Sequence, residues 1–252
     1  MASFILITGA SSGFGAATAK LFASKGYGLV LMARRKNKLD VLVQELPENI
    51  EVHILVVDVR DEEVVRKSIN NLPNHVKMAL SILVNNAGLA VGKGPIDNGL
   101  IEDWDRMVDT NVKGLLYVSR AVIPILKANK KGHIINVASI AGKEVYPGGN
   151  VYCATKHAVD ALSRAMRIDL VNYNIKVSNL APGAAETEFS IVRFKGNEAQ
   201  AKSVYDGYSP LVAQDIAETL WFICSRPDHV NINDITLMAS AQASAAVFAE
   251  KE

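Results

Sequence analysis

Short apolar runs alternate with amphipathic stretches along most of the chain. The runs are continuous rather than alternating in polarity, as expected of strands that are buried on both faces of a parallel sheet. They predict strands at residues 3–8, 28–33, 51–58, 80–85, 132–138, 175–180 and 233–238. The amphipathic stretches predict helices near residues 14–25, 36–46, 61–71, 102–128, 150–173 and 212–225. Asp61 and Asp103 stand near the starts of two of these stretches and are candidate N-caps.

The alternation of strands and helices predicts an α/β fold, a single-domain doubly wound parallel sheet of about seven strands with helices on both faces. The chain shows no linker, internal repeat or heptad run, so we expect one domain over residues 1–252. Residues 183–210 break the pattern and are too many for an ordinary connection. We expect this segment to be a substrate lid, with a solvated excursion of two short surface helices as the alternative.

Composition narrows the class of protein. Hydrophobic residues make up 49% of the chain, and the formal net charge of +1 predicts no basic face for nucleic acid. Neither the cysteines, Cys153 and Cys224, nor the five histidines show metal-ligand spacing, so we expect no metal site. Cysteine usage favours a reducing cytoplasm. We predict no signal peptide and no membrane span, because a span needs about 20 apolar residues.

A glycine-rich turn follows the first predicted strand and opens the first predicted helix. Gly9, Gly13 and Gly15 allow a sharp turn and a close approach of the backbone to a pyrophosphate, whose charge faces the helix N-terminus. A tight turn without a ligand is the alternative. The predicted cofactor-binding residues of this turn are Gly9, Ser11, Ser12, Gly13, Phe14 and Gly15.

The order of the motifs resembles that of the short-chain dehydrogenase/reductase family, over nearly the whole chain. The glycine spacing G-x-x-x-G-x-G is followed by Asn85-Asn86-Ala87-Gly88, Asn111, Ser139 and Tyr152-x-x-x-Lys156. The resemblance implies hydride transfer between a nicotinamide cofactor and a carbonyl or alcohol. It also implies cofactor contacts, which would come from Asp58, Val59, Asn85, Ala87, Gly88, Tyr152, Lys156, Pro182, Gly183 and Thr187.

The end of the second predicted strand indicates which cofactor is bound. An NAD enzyme places an acidic residue there, on the ribose 2′-hydroxyl. This chain instead has Ala33 followed by Arg34 and Arg35, and guanidinium groups suit the 2′-phosphate of NADP. We therefore predict NADP(H), with Arg34 as the main contact and Arg35 as the second; solvated charges at a helix start are the alternative.

Tyr152 and Lys156 are four residues apart on a predicted helix and so share one face. A tyrosine has a pKa of about 10, which a nearby ammonium group and an oxidised nicotinamide would lower. We predict Tyr152 as the general acid or base, with Lys156 tuning it and binding the nicotinamide ribose. Ser139, at the carboxyl end of a strand, would donate to the substrate oxygen. The resemblance implies that Asn111 helps to hold a water that relays protons to Lys156.

The substrate is indicated by three stretches, at residues 148–152, 188–196 and 229–233, that resemble the NADP-dependent 3-hydroxy acid dehydrogenases. That subgroup acts on serine, allo-threonine and 3-hydroxypropionate-like acids, and similar sequences reduce malonic semialdehyde or sulfoacetaldehyde. Such small anions need a fixed cation, for which Arg193 is the candidate. A surface or intersubunit ion pair is the alternative for Arg193. Asn150 and Gln242 are further candidate substrate contacts.

Two other kinds of protein compete with this interpretation. One is a reductase of a different carbonyl, such as a 3-oxoacyl thioester, a sugar or a polyol; a long acyl chain would call for an apolar groove. The other is a non-catalytic dinucleotide sensor, which would have no use for Ser139, Tyr152 and Lys156 together. The family resemblance also implies a homotetramer formed through the helices at residues 102–128 and 150–173 and the last strand.

Overall fold

All seven predicted strands form, and they make one parallel sheet in a computed structural model that describes residues 3–249. The two ends of the predicted domain, residues 1–2 and 250–252, lie outside the described residues. The strands are β1 (Phe4–Thr8), β2 (Gly28–Ala33), β3 (Val52–Val56), β4 (Leu80–Asn85), β5 (Gly132–Val137), β6 (Ile175–Pro182) and β7 (Asp234–Leu237). Their order in the sheet is β3-β2-β1-β4-β5-β6-β7.

The α-helices lie between the strands. They are α1 (Gly13–Ser24), α2 (Lys36–Gln44), α3 (Glu62–Asn70), α4 (Asn74–Ala79), α5 (Ile101–Val108), α6 (Leu115–Ala128), α7 (Asn150–Leu170), α8 (Glu188–Arg193), α9 (Glu198–Ser203) and α10 (Ala213–Cys224). A π-helical segment, Asp109–Gly114, joins α5 to α6, so the helix predicted over 102–128 is continuous but locally unwound. Helix α4 was not predicted.

Both faces of the sheet are buried, which explains the continuous apolar runs. In β1, Leu6 packs into a core shared with Val118 of α6, whereas Ile7 packs into a second core shared with Ala19 of α1. All five residues of β1 are buried. The predicted doubly wound architecture is therefore confirmed.

The two predicted helix caps have different outcomes. Asp61 caps α3, because its side chain accepts a hydrogen bond from Val64 N at 3.0 Å. The prediction for Asp103 is wrong, since α5 begins at Ile101 and Asp103 lies within its first turn. The Asp103 carboxylate instead pairs with Lys195 of the predicted lid at 2.7 Å.

The segment at 183–210 carries two short helices, α8 and α9, and extends over the carboxyl edge of the sheet. Among the described residues, no helix combines the length and the apolar character that a membrane crossing requires. Large apolar side chains are exposed on α5 and α7, including Ile101 and Ile168, which are 63% and 76% exposed. The homotetramer stays a prediction.

Candidate active site

A cavity of about 580 Å³ opens at the carboxyl ends of the strands, where β1 and β4 are neighbours. The strand order reverses at this point, and ligands of doubly wound sheets bind in such crevices. Most of the predicted site residues line it: Gly9, Ser11, Ser12, Gly13, Phe14, Arg34, Arg35, Asp58, Val59, Ala87, Gly88, Ser139, Tyr152, Lys156, Pro182, Gly183, Thr187, Arg193 and Gln242. Four others lie behind its wall: Gly15, Asn85, Asn111 and Asn150.

The glycine turn has the backbone shape that its sequence predicted. Gly9 and Gly13 have positive φ angles of 66° and 51°, a conformation that other residues rarely adopt. Gly15 serves packing instead, because a Cβ there would lie 2.5 Å from Gly9 O. Thr187, the N-cap of α8, lies against Gly13, so the predicted lid begins directly above the turn.

Two guanidinium groups border the end of the cavity beside the glycine turn. Arg35 donates to Ser11 Oγ at 3.1 Å and to Ser12 Oγ at 2.7 Å. It also pairs with Glu188 of α8 at 2.9 Å, and Lys38 pairs with the other oxygen of the same carboxylate. Arg34 is half-exposed and lies 3.8 Å from Asp58. This set of cations and hydroxyl groups has the donors that a phosphate monoester needs.

Asp58 and Asn85 are placed differently from one another. Asp58 lines the cavity, and although burial opposes it, hydrogen bonds from Arg60 lower the pKa of its carboxyl group below the ordinary value. Asn85 was predicted to contact the cofactor, but its side chain does not line the cavity. Its amide is buried and donates to Ser119 Oγ and Asn136 Oδ1, both at 2.9 Å. Alternation along β4 turns Asn85 into the core.

Tyr152 and Lys156 lie one turn apart on α7, and both are buried. Burial raises the pKa of Tyr152 above its ordinary value, while a hydrogen bond with Ser139 and the charge of Arg193 oppose this rise. Burial lowers the pKa of Lys156 to about 8, and its Nζ donates to Val137 O at 2.9 Å. The prediction that Lys156 lowers the tyrosine pKa is therefore not met by the protein groups alone; the positive nicotinamide is the remaining source of such a shift.

Ser139 follows β5 and lies at the carboxyl edge of the sheet, where it lines the cavity. Its Oγ accepts from Ala141 N at 3.1 Å and lies 3.4 Å from Pro182 O, to which it donates. Because the hydroxyl borders the cavity next to Tyr152, the two can reach one substrate oxygen. This is the pairing that the sequence predicted.

Asn111 occupies the π-helical segment between α5 and α6 and is fully buried. Its amide nitrogen donates to Leu89 O at 2.8 Å and to Thr155 Oγ1 at 3.0 Å, and its Oδ1 accepts from Leu89 N at 2.8 Å. Both amide hydrogens are thus used within the protein. The side chain fixes the loop after β4 against α7, directly beside Lys156.

Arg193, the last residue of α8, points into the cavity beside the candidate acid. Its guanidinium carbon lies 5.3 Å from the ring centre of Tyr146 and 5.8 Å from that of Tyr152. Its Nε is buried and has no hydrogen-bond partner among residues 3–249. Burial raises the pKa of Tyr146, and the charge of Arg193 opposes this rise. A buried donor without an acceptor is rare in folded proteins and is typical of functional sites, where a ligand or a water supplies the acceptor.

The other two predicted substrate contacts are taken up by backbone groups. Asn150 donates to Gly94 O at 3.0 Å and accepts from Val151 N at 2.6 Å, so it lies outside the cavity. That prediction is wrong, because Asn150 begins α7 and its side chain is used at the helix start. Gln242 borders the cavity, but it accepts from Ala184 N at 2.8 Å and donates to Ser244 O at 3.1 Å. It joins the start of the lid to the C-terminal tail.

Several cavity residues were not predicted. Tyr146 and Phe189 lie beside Tyr152, with the centres of the Phe189 and Tyr152 rings 5.7 Å apart, and Phe248 of the tail also lines the cavity. Asn86 rather than Asn85 borders the cavity. No spacing rule singles out a loop aromatic such as Tyr146, whereas alternation along β4 could have separated Asn86 from Asn85.

Comparison with known proteins agrees with this geometry. The short chain dehydrogenase family model matches residues 3–198. The chain belongs to the short-chain dehydrogenase family. It is 41% identical over 253 residues to sulfoacetaldehyde reductase 2 of Chromohalobacter salexigens, with all of both chains covered. It is also 41% identical to the NADP-dependent 3-hydroxy acid dehydrogenase YdfG of Salmonella typhi, with 96% of both chains covered.

A solved short-chain dehydrogenase has nearly the same fold. It is the closed form of serine dehydrogenase complexed with NADP+, which is 39% identical to this chain and superimposes with a TM-score of 0.91. The match covers 99% of this chain and 100% of that one. The chain is thus an oxidoreductase of this family, and both the family prediction and the fold prediction are confirmed.

Proposed function

We propose that the chain is an NADP-dependent oxidoreductase that interconverts a small 3-hydroxy acid, of the serine, allo-threonine or 3-hydroxypropionate type, and its oxo acid or semialdehyde. NADP, when bound, supplies or accepts the hydride. The residues present fit it, because the glycine turn gives a close backbone approach and Arg34, Arg35 and Ser11 offer donors for a 2′-phosphate. The two NADP-linked relatives support the same cofactor.

The observation that carries the substrate proposal is the position of Arg193. Arg193 is half-buried beside the candidate acid, at the end of a helix of the predicted lid, and its buried Nε has no hydrogen-bond partner within residues 3–249. A carboxylate or sulfonate group could satisfy that donor in a charge-assisted hydrogen bond, which is about twice as strong as a neutral one. The substrate carbon next to such an anion would then face Ser139 and Tyr152.

Proton transfer would proceed at the Tyr152 hydroxyl. In reduction the hydroxyl gives its proton to the substrate oxygen, and in oxidation the phenolate takes it back. Ser139 donates to the same oxygen as negative charge develops on it. Because burial holds the pKa of Tyr152 high, the phenolate should form only when positive charge accumulates beside it, which couples proton removal to the oxidised cofactor.

Lys156 and Asn111 would assist this proton transfer without contacting the substrate oxygen. A lysine whose pKa is about 8 can give or take a proton near neutrality, as a relay requires. Asn111 is a positioning residue in this scheme, since it holds Thr155, the neighbour of Lys156, through its side-chain amide at 3.0 Å. A relay water could receive no hydrogen from that amide nitrogen, but it could donate to Asn111 Oδ1, which accepts one protein hydrogen bond within residues 3–249.

Reduction of sulfoacetaldehyde is the second candidate function. Two Chromohalobacter salexigens relatives are sulfoacetaldehyde reductases, and the first is alignable over the whole chain. A sulfonate and a carboxylate present similar anionic oxygens to one arginine, so Arg193 serves either substrate. Thioesters, sugars and polyols offer no negative charge to Arg193, so we rank them below the 3-hydroxy acids and sulfoacetaldehyde as substrates.

Replacement of Arg193 tests the anion proposal. We expect Arg193→Ala to raise KM for anionic substrates about 100-fold, the equivalent of losing about 3 kcal/mol of charged hydrogen bonding, while the Kd of NADPH stays unchanged. Lys195→Ala is the matched control, because Lys195 is a neighbouring lid cation that pairs with Asp103 outside the cavity. Equal increases in KM for both variants, or no increase for Arg193→Ala, would place the anion anchor elsewhere.

A further inference from the structure

Three potential metal ligands converge at the end of the sheet opposite the cavity. Glu51 precedes β3, His53 is the second residue of that strand, and His75 lies in the first turn of α4. Nε2 of His53 lies 2.7 Å, and Nε2 of His75 2.8 Å, from the same oxygen, Glu51 Oε1. All three ligand atoms lie within 4.8 Å of one another. Residue spacing could not indicate this cluster, because His75 is far from the other two residues along the chain.

The two imidazole rings are held in place by more than the carboxylate. Glu51 and His53 are two residues apart in an extended segment, so their side chains project from the same face. Phe4, which is buried at the start of β1, packs against both rings, with centroid distances of 6.1 Å to His53 and 6.4 Å to His75. The Nε2 atoms of His53 and His75 are therefore already directed toward the Glu51 carboxylate in the absence of a bound ion.

We propose that Glu51, His53 and His75 form a binding site for a divalent transition-metal ion of the zinc class. Imidazole nitrogen and carboxylate oxygen are ligands that zinc prefers, at about 2.0–2.2 Å. Those lengths place tetrahedral ligand atoms about 3.3 Å apart, so the present hydrogen-bonded atoms would have to separate by about 0.5 Å. The side chains are 48%, 24% and 55% exposed, which leaves room for that movement and for a water as fourth ligand.

The ion would join the start of the edge strand β3 to α4. Because the cavity lies at the carboxyl ends of the strands and this cluster at the amino ends, metal binding should stabilise the fold and leave NADP-linked turnover unchanged. The proposal is independent of the substrate, since none of the three residues lines the cavity.

Zinc titration of the whole chain tests the site. Isothermal titration with zinc chloride should give one ion per chain, with a Kd that His53→Gln and His75→Gln each raise at least tenfold. His229→Gln is the control, because His229 is an exposed histidine outside the cluster. Zinc should also raise the melting temperature of the wild-type chain and of His229→Gln, and leave that of His75→Gln unchanged.

Two results would overturn the proposal. One is a wild-type chain that takes up no zinc. The other is zinc uptake whose Kd is the same in His53→Gln, His75→Gln and the control, since binding would then lie elsewhere. Circular dichroism of each variant shows that the comparison is made between folded proteins.

Discussion

Replacement of Lys156 by methionine should make the protein inactive and more stable at neutral pH. Lys156 is 6% exposed, and its ammonium group donates to one acceptor among the described residues, Val137 O. Burial lowers the pKa of Lys156 to about 8 from an ordinary value of 10.5. The folded protein thus holds a charge whose burial costs stability, as expected where function rather than stability determines a residue.

The magnitude follows from the two pKa values. Their difference of about 2.5 corresponds to about 3 kcal/mol of unfavourable free energy when the lysine is charged in both folded and unfolded states. Methionine removes that cost but leaves Val137 O without its donor, which costs about 1–2 kcal/mol. We therefore expect Lys156→Met to be more stable than the wild type by about 1–2 kcal/mol at pH 7.

The pH dependence has a definite sign. Below pH 8 the lysine is protonated in both states, so the wild type bears the full cost. Between pH 8 and 10.5 the unfolded chain binds more protons than the folded one, so wild-type stability rises with pH relative to the variant. The advantage of Lys156→Met should therefore shrink, and reverse, towards pH 10.5.

Urea unfolding of both proteins at several pH values between 7 and 10 measures this difference. Lys36→Met is the control, because Lys36 is an exposed lysine paired with Asp40 and should show no such pH-dependent difference. A Lys156→Met protein that is less stable than wild type at pH 7, or a stability difference that does not change with pH, would refute the reasoning.

Three further predictions concern the cavity and its surroundings. Arg34→Ala should raise KM for NADP about 10- to 100-fold and leave KM for NAD nearly unchanged, since a charged hydrogen bond contributes about 1.5–3 kcal/mol; equal changes for both cofactors would contradict this. Gly142→Ala should lower the free energy of unfolding in a urea titration by about 1–3 kcal/mol, because its Cβ would lie 2.5 Å from Lys156 O. Gly94→Ala is the control and should change it little, because an added Cβ there would have no non-adjacent atom of residues 3–249 within 4 Å. Glu188→Gln removes the carboxylate that pairs with Arg35 and Lys38, so limited proteolysis should cut residues 188–203 faster than in the wild type. Equal cleavage rates would show that these ion pairs do not hold the segment in place.

The fold could be predicted closely because the inner strands of the sheet are buried on both faces, which leaves a continuous apolar run such as Phe4–Thr8. The helix start at Ile101 was missed because no polar cap stands before it, and Asp103 offered a false one. Helix α4 has six residues, too few to show a helical period. The π-helical segment has only six residues, too few for its wider i→i+5 turn to show in the hydrophobic pattern.

The site was predictable where backbone and motif determine it, and less so where tertiary contacts do. The positions of Ser139, Tyr152 and Lys156 follow from the strand end and the shared helix face. The sequence does not show that the amides of Asn150 and Gln242 are used by nearby backbone groups. Nor does it show how deeply Tyr152 is buried, which is why the expected lowering of its pKa required a charge that the protein alone does not supply.

The central claim is that the half-buried Arg193 selects small anionic substrates for an NADP-linked active site. The most direct measurement is kcat/KM of the wild-type chain with NADP+ for serine, allo-threonine, 3-hydroxypropionate, isethionate and neutral alcohols of matched size. Loss of one charged contact of about 3 kcal/mol predicts at least a 100-fold preference for one or more of the anions over its neutral match. Equal or better turnover of the neutral alcohols would contradict the account.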